Sequence, residues 1–290
     1  MTSQNKNSVG NFFEDFSLNQ KIDHATPRTI THGDMALYTA LYGTRFALHS
    51  SNEFAKNLAL RESPIDDFLL FNIAFGKTVP DISLNALANL GYADCKFLKL
   101  VYPGDTIKST SHVIGLKENS NGETGVVYVN SICTNQNNEI VLDFKRWVMV
   151  KKENKGSSNT KTILPELPNE LSKVDIQEIA LSYNFDLNNF NYVDSGSTAT
   201  FDDFSVGEKI DHIDGMTVEE AEHMLATKLY QNTAKVHFNH HYEKEGRFGK
   251  RIVYGGHVIS LVRSLSFNGL ANAFKIVGIN GGSHAAPCFA

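Results

Sequence analysis

A chain of 290 residues with 41% hydrophobic and 20% charged residues has room for two ordinary domains, and no apolar run approaches the roughly 18 residues of a membrane helix. A net charge of −5 gives no support to nucleic-acid binding, which usually shows a basic domain or stripe, and nothing marks a membrane-spanning segment. Cys95, Cys133 and Cys288 are too few and too scattered for a disulfide framework or a Cys-x-x-Cys metal site, and MTSQNKNSVG lacks a targeting pattern, so cytoplasm is the expected compartment.

The first recognisable text, FEDFSLNQKIDH at 13–24, returns as FDDFSVGEKIDH at 201–212, an offset of 212 − 24 = 188. Leu41-Tyr42-Gly43-Thr44 likewise faces Leu229-Tyr230-Gln231-Asn232, and His49 falls on His237. Repetition at so long a period means two copies of one domain. In the first copy, 21–30 predicts a strand leading into a helix near 33–42, where Met35, Leu37, Tyr38 and Leu41 supply an apolar face. Residues 68–75 are apolar nearly all round, which predicts a helix buried on most sides. TIKSTSHVIGLKEN, TGVVYVNSICTNQ and EIVLDFKRWVMV follow, rich in β-branched residues and separated by the turn text NSNGE and NQNNE. They predict an antiparallel meander, and a buried helix followed by strands is an α+β arrangement with the sheet wrapped on the helix.

Residues 1–153 therefore form an N-terminal domain. Residues 154–199, with NKGSSNTKT and an Asn-rich stretch, form a linker, and 200–290 form the second copy. Its strand, entry helix (218–229) and apolar helix (258–270) are expected in the same order. The text ends where the first copy continues into its three strands, so the second copy is expected to be C-terminally truncated by about 50 residues of the pattern.

The strongest chemical signal is Asn232-Thr-Ala-Lys-Val-His237-Phe-Asn239, followed by Arg247–Lys250 and by Arg251-Ile-Val-Tyr254-Gly255-Gly256 opening the apolar helix. Here the sequence resembles the MaoC-like dehydratase family, whose Asp-x-Asn-Pro-x-His motif has the same spacing and leads to the central helix of a hotdog fold. TPRTITHGDMALYTALYG, FGKTVPDISLNALANLGYA and RFGKRIVYGGHVISL carry the likeness over nearly the whole chain. The resemblance implies a double hotdog that reversibly hydrates a short branched enoyl-CoA, with mesaconyl-CoA and β-methylmalyl-CoA as the pair. It implies no cofactor, because coenzyme A is part of the substrate, and a homo-oligomer is expected. The alternatives are a general enoyl-CoA hydratase, a hotdog thioesterase, or a non-catalytic acyl-CoA-binding protein, since fold alone does not choose among them.

Hydrating an enoyl thioester needs a base for water, an acid for the α-carbon and donors for the enolate oxygen. His237 suits the proton transfers, because a free imidazole titrates near pH 6.5. Gly255 and Gly256 offer backbone N–H groups at a helix N-terminus for the oxyanion. Asn232 stands where the family has its aspartate; an amide orients water but takes no proton, and it serves equally as a left-handed helix end. Glu243 is a weaker candidate for the missing carboxylate. Lys235, Arg247 and Arg251 surround the motif as candidates to grip a substrate carboxylate or CoA phosphate, with Tyr254 beside them. His240 and His241 have metal-like spacing to His237, but solvated rings are the better reading and no metal is expected. In the first copy Thr44 and His49 hold the corresponding places while Asp66-Asp67 replaces the glycine pair. Carboxylates there repel an enolate, so that half is expected to shape a pocket where the halves meet rather than to catalyse.

Overall fold

The computed structural model describes residues 8–156, 161–168 and 185–290. Its first half follows the predicted order: β1 (Lys21–Asp23), β2 (Arg28–Thr29), α1 (His32–Tyr42), α2 (Ala47–Ser50), α3 (Asn52–Asn57), α4 (Asp67–Ile82), then β3 (Ala86–Phe97), β4 (Thr106–Glu118), β5 (Thr124–Thr134) and β6 (Ile140–Lys151). Local chemistry fixes the helix ends. Thr31 caps α1 by accepting from the Asp34 N–H while Asp34 accepts from the Thr31 N–H at 2.8 Å, and Gly43 closes it at φ 57°, a left-handed conformation that favours glycine. Asp66 starts α4 by accepting from the Phe68 N–H at 2.8 Å.

Helix α4 is buried over nearly its whole length, as its text requires, with Leu69, Phe71, Ile73 and Ala74 packed against Phe97, Cys133, Leu142 and Phe144 of the sheet. Each large apolar side chain so removed from water contributes about 1.5–3 kcal/mol. The sheet runs β1-β4-β5-β6-β3 with antiparallel pairing throughout, and β2 also pairs with β4. Strand β3 has no counterpart in the sequence reading. Its text, ALANLGYADCKF, is poor in β-branched residues, and its pairing with β6 shifts register at several points.

The second half supplies α5 (Tyr192–Ser195), α6 (Glu220–Leu229), α7 (Lys235–Phe238), α8 (His240–Glu243), α9 (Gly255–Leu265), α10 (Phe267–Leu270) and β7 (Gly278–Ser283). The apolar helix starts three residues earlier than its periodicity suggests and breaks after Leu265, because Asn268 and Gly269 leave the helical region. No strand forms in the repeat text at 201–212. In the first copy that strand is held by β4, and no second-half equivalent of β4 occurs among the described residues. Phe13 and Phe16, 2% and 6% exposed, accordingly find their counterparts Phe201 and Phe204 at 90% and 36%.

Part of the segment between the copies is docked: Phe185 and Phe190 pack with Phe54 and Phe274, and Ile163 bridges to Leu116. The rest of the expected linker, 157–160 and 169–184, lies outside the described residues. The halves join through β3 and β7, where Ala93 pairs with Gly281, 281 − 93 = 188 residues on. Tyr42 and Tyr230 meet hydroxyl to hydroxyl at 2.6 Å, and Asn72 donates to Ser260 at 3.2 Å, each pair again 188 apart. The repeat offset is thus the signature of a pseudo-twofold axis on which equivalent residues touch one another. Among the described residues no helix is long and apolar enough to cross a membrane.

Candidate active site

About that axis lie two related clusters, one per half, built alike and filled differently. His237, partly buried on α7, donates from Nδ1 to the Ile252 carbonyl at 2.9 Å; His49 on α2 makes the same bond to Pro64 at 3.2 Å, both fifteen residues along the chain. A carbonyl only accepts, so Nδ1 carries the proton in both rings, and the His237 Nε2 presents its lone pair, whereas His49 Nε2 faces a second carbonyl and donates as well. In the first half that position is occupied by the protein itself. His49 Nε2 lies 3.1 Å from the Phe274 oxygen and 3.8 Å from Asp67, whose carboxylate accepts from the Ile276 N–H at 2.9 Å and from Lys275.

In the second half the residue equivalent to Asp67 is Gly255, since α4 begins at Asp67 and α9 at Gly255. The alignment therefore sets Asp66 against Tyr254 and Phe68 against Gly256, one residue from the pairing expected. His237 Nε2 has no hydrogen-bond partner among the described residues, and its ring lies 5.4 Å from that of Tyr254, which immediately precedes the α9 N-terminus. The N–H groups of Gly255 and Gly256 have no helix acceptor at these first two positions. Close approach explains why both are glycines: a Cβ on Gly256 would sit 1.9 Å from Asn72 Oδ1, and one on Gly255 would sit 2.3 Å from the His284 ring.

Burial pushes the His237 imidazole down to about 4, the Ile252 hydrogen bond opposing and the His284 charge assisting, so the ring is neutral at physiological pH and its Nε2 lone pair is free. Two further histidines line this region. His223 accepts the Tyr254 N–H on Nε2 at 2.9 Å and is pushed by burial to about 3, and His257 meets the Tyr42 hydroxyl at 3.0 Å and is pushed by burial to about 4. His223, His257 and His284 escaped the sequence reading because none lies in the motif.

Asn232 is buried, its Oδ1 accepting from the Ala234 N–H at 3.0 Å, which leaves Nδ2 as an unpartnered donor. It does not close α6 as a left-handed cap; Gln231 takes that conformation at φ 53°. Tyr254 is buried, with its hydroxyl donating to Asn72 at 3.0 Å. Arg251 pairs with Glu220 and reaches Met224, while Lys235 and Arg247 are exposed and rest on Tyr242 and Phe248. Glu243 is buried against Gly246, and His240 and His241 are exposed. Among the described residues no three His, Cys, Asp or Glu side chains are grouped to hold a metal ion. A cleft of about 590 Å³ opens beside the motif, walled by Met224, Pro80 and Phe238, with Asn232, Lys77 and Lys228 at its polar side.

Comparison with known proteins finds relatives along nearly the whole chain. Residues 15–136 match the family described as MaoC like domain. The chain is 60% identical over 285 residues to β-methylmalyl-CoA dehydratase of Chloroflexus aurantiacus, covering 98% of this chain and 80% of that one. It is 52% identical to mesaconyl-CoA hydratase of Cereibacter sphaeroides, covering 98% and 81%. Among solved structures, a putative MaoC domain protein dehydratase from C. aurantiacus superposes with a TM-score of 0.93 at 58% identity, covering 99% and 81%. A Mycobacterium tuberculosis protein described as a double hotdog superposes at 0.64 with 20% identity, covering 96% and 82%, which supports the fold alone.

Proposed function

The chain belongs to the MaoC-like dehydratase family, and from that premise we propose that it is a hydro-lyase interconverting mesaconyl-CoA and β-methylmalyl-CoA, the compounds for which its two curated relatives are named. The observation that carries the reading is the His237 lone pair, unengaged beside the α9 N-terminus while its first-half equivalent is occupied. His237 Nε2 takes a proton from water as the oxygen adds to the β-carbon. The same ring, now protonated, delivers a proton to the α-carbon, so one water is consumed with no net change in the enzyme. The Gly255 and Gly256 N–H groups hold the enolate oxygen, where one such donor is worth about 3–4 kcal/mol of transition-state stabilisation. Asn232, its oxygen already engaged, takes part only as a donor.

No cofactor beyond the coenzyme A of the substrate enters this proposal, and cytoplasmic residence and homo-oligomerisation belong to it as well. The test is a thioester panel followed at the ultraviolet absorption of the conjugated double bond, with thiol release measured in parallel. Reversible loss of absorption with mesaconyl-CoA, without free thiol, is expected. Thiol release alone would make the chain a thioesterase, and tight binding without turnover would make it a carrier.

A further inference from the structure

We propose that Lys77, from the central helix of the non-catalytic half, and Asn232, from the catalytic half, together form the subsite for the free carboxylate of the acyl group. This inference rests on the hydratase reading and names what selects a dicarboxylic substrate. The basic residues around the motif, Lys235, Arg247 and Arg251, are exposed or paired with Glu220.

Lys77 lies on α4 and is only 5% exposed, yet its ammonium donates to a neutral group, the Gln231 amide oxygen, and no carboxylate pairs with it among the described residues. Burial and the nearby Arg28 both disfavour its charge, which an arriving anion would relieve. Asn232 is 5% exposed, and its Nδ2 is a buried donor without an acceptor. Both line the same cleft, together with Lys228, and no aspartate or glutamate among the described residues lines it.

The two residues reach one cleft because α4 runs hard against the second half at Gly76, where a Cβ would lie 2.0 Å from the Tyr230 carbonyl and 3.5 Å from the Asn232 backbone nitrogen. Gln231 accepts a left-handed conformation at φ 53°, where the first copy has Gly43, and its side chain reaches Lys77 from there. The geometry also accounts for asparagine at the family's aspartate position. A carboxylate at 232 would neutralise Lys77 and repel an anionic substrate, whereas the amide adds a donor to it. Met224, Pro80 and Phe238 leave an apolar wall for a branch methyl group.

The experiment compares kcat/KM for mesaconyl-CoA and for 2-methylcrotonyl-CoA, which carry the same CoA and the same branch methyl and differ in the acyl carboxylate, replaced by a methyl group in the second. In Lys77→Met the mesaconyl-to-methylcrotonyl ratio is expected to fall by about 100-fold, and Lys77→Arg is expected to restore most of it. Should Lys77→Met not fold, the isosteric Asn232→Asp decides, with a fall of the same order. An unchanged ratio in the folded variants, including an equal loss on both thioesters as CoA-phosphate binding would give, overturns the subsite but leaves the hydratase reading standing. A wild-type chain inactive on both thioesters removes the hydratase reading, and this inference with it.

Discussion

His237 and His49 hold the same ring geometry through the same carbonyl bond, and what differs is whether Nε2 has been given a partner. The motif spacing located His237 and the repeat located His49, so both were legible. Occupation of the first site by Lys275 and Asp67 was not, because Lys275 lies outside any repeated text and reaches Asp67 only across the half-to-half contact. Lys77 was invisible for a related reason: within an apolar helix it reads as an ordinary solvated lysine. The glycine pair was found as an oxyanion candidate, but the packing reason for it needed coordinates. Gly256→Ala places its methyl on Asn72 Oδ1, and a loss of about 1–3 kcal/mol is expected in chemical denaturation. An unchanged midpoint would show that the contact between α4 and α9 yields freely.

Elements whose signal is local appear as read, and those that depend on distant partners do not. The turn at Phe13–Asp15 and its repeat at Phe201–Asp203 are both short 3-10 helices, closed by an aspartate accepting the N–H three residues earlier at 2.8 and 2.7 Å. They form alike although one covers a core and the other is exposed. The strand beyond each turn forms only where β4 supplies its hydrogen bonds, and β3 forms despite weak propensity because β6 and β7 flank it. Helices α6, α7 and α9 bring His223, His237 and His257 into buried surroundings, with values near 3, 4 and 4. All three are depressed from about 6.5, so the unfolded chain binds their protons first as pH falls. Their stabilising share is whole above about pH 6.5 and is lost progressively toward pH 4. The melting temperature should fall between pH 7 and pH 5, and less steeply in a His223→Gln/His257→Gln variant; equal slopes would show that these rings do not set the acid limb.

At the scale of the whole molecule, duplication supplies the frame and divergence supplies the chemistry. The pseudo-twofold axis passes between Tyr42 and Tyr230, between Asn72 and Ser260 and across the β3–β7 pairing, so each half contributes to the surroundings of the other's site. One site is closed by the protein's own ions while the other keeps an unengaged lone pair beside helix N–H groups that have no helix acceptor. The most direct measurement of this asymmetry is mesaconyl-CoA hydration by His237→Gln and His49→Gln, each first confirmed as folded. The account predicts a kcat reduced by about 10²–10⁴-fold in His237→Gln and turnover of the wild-type order in His49→Gln. Comparable losses in both, or retained turnover in His237→Gln, would contradict it.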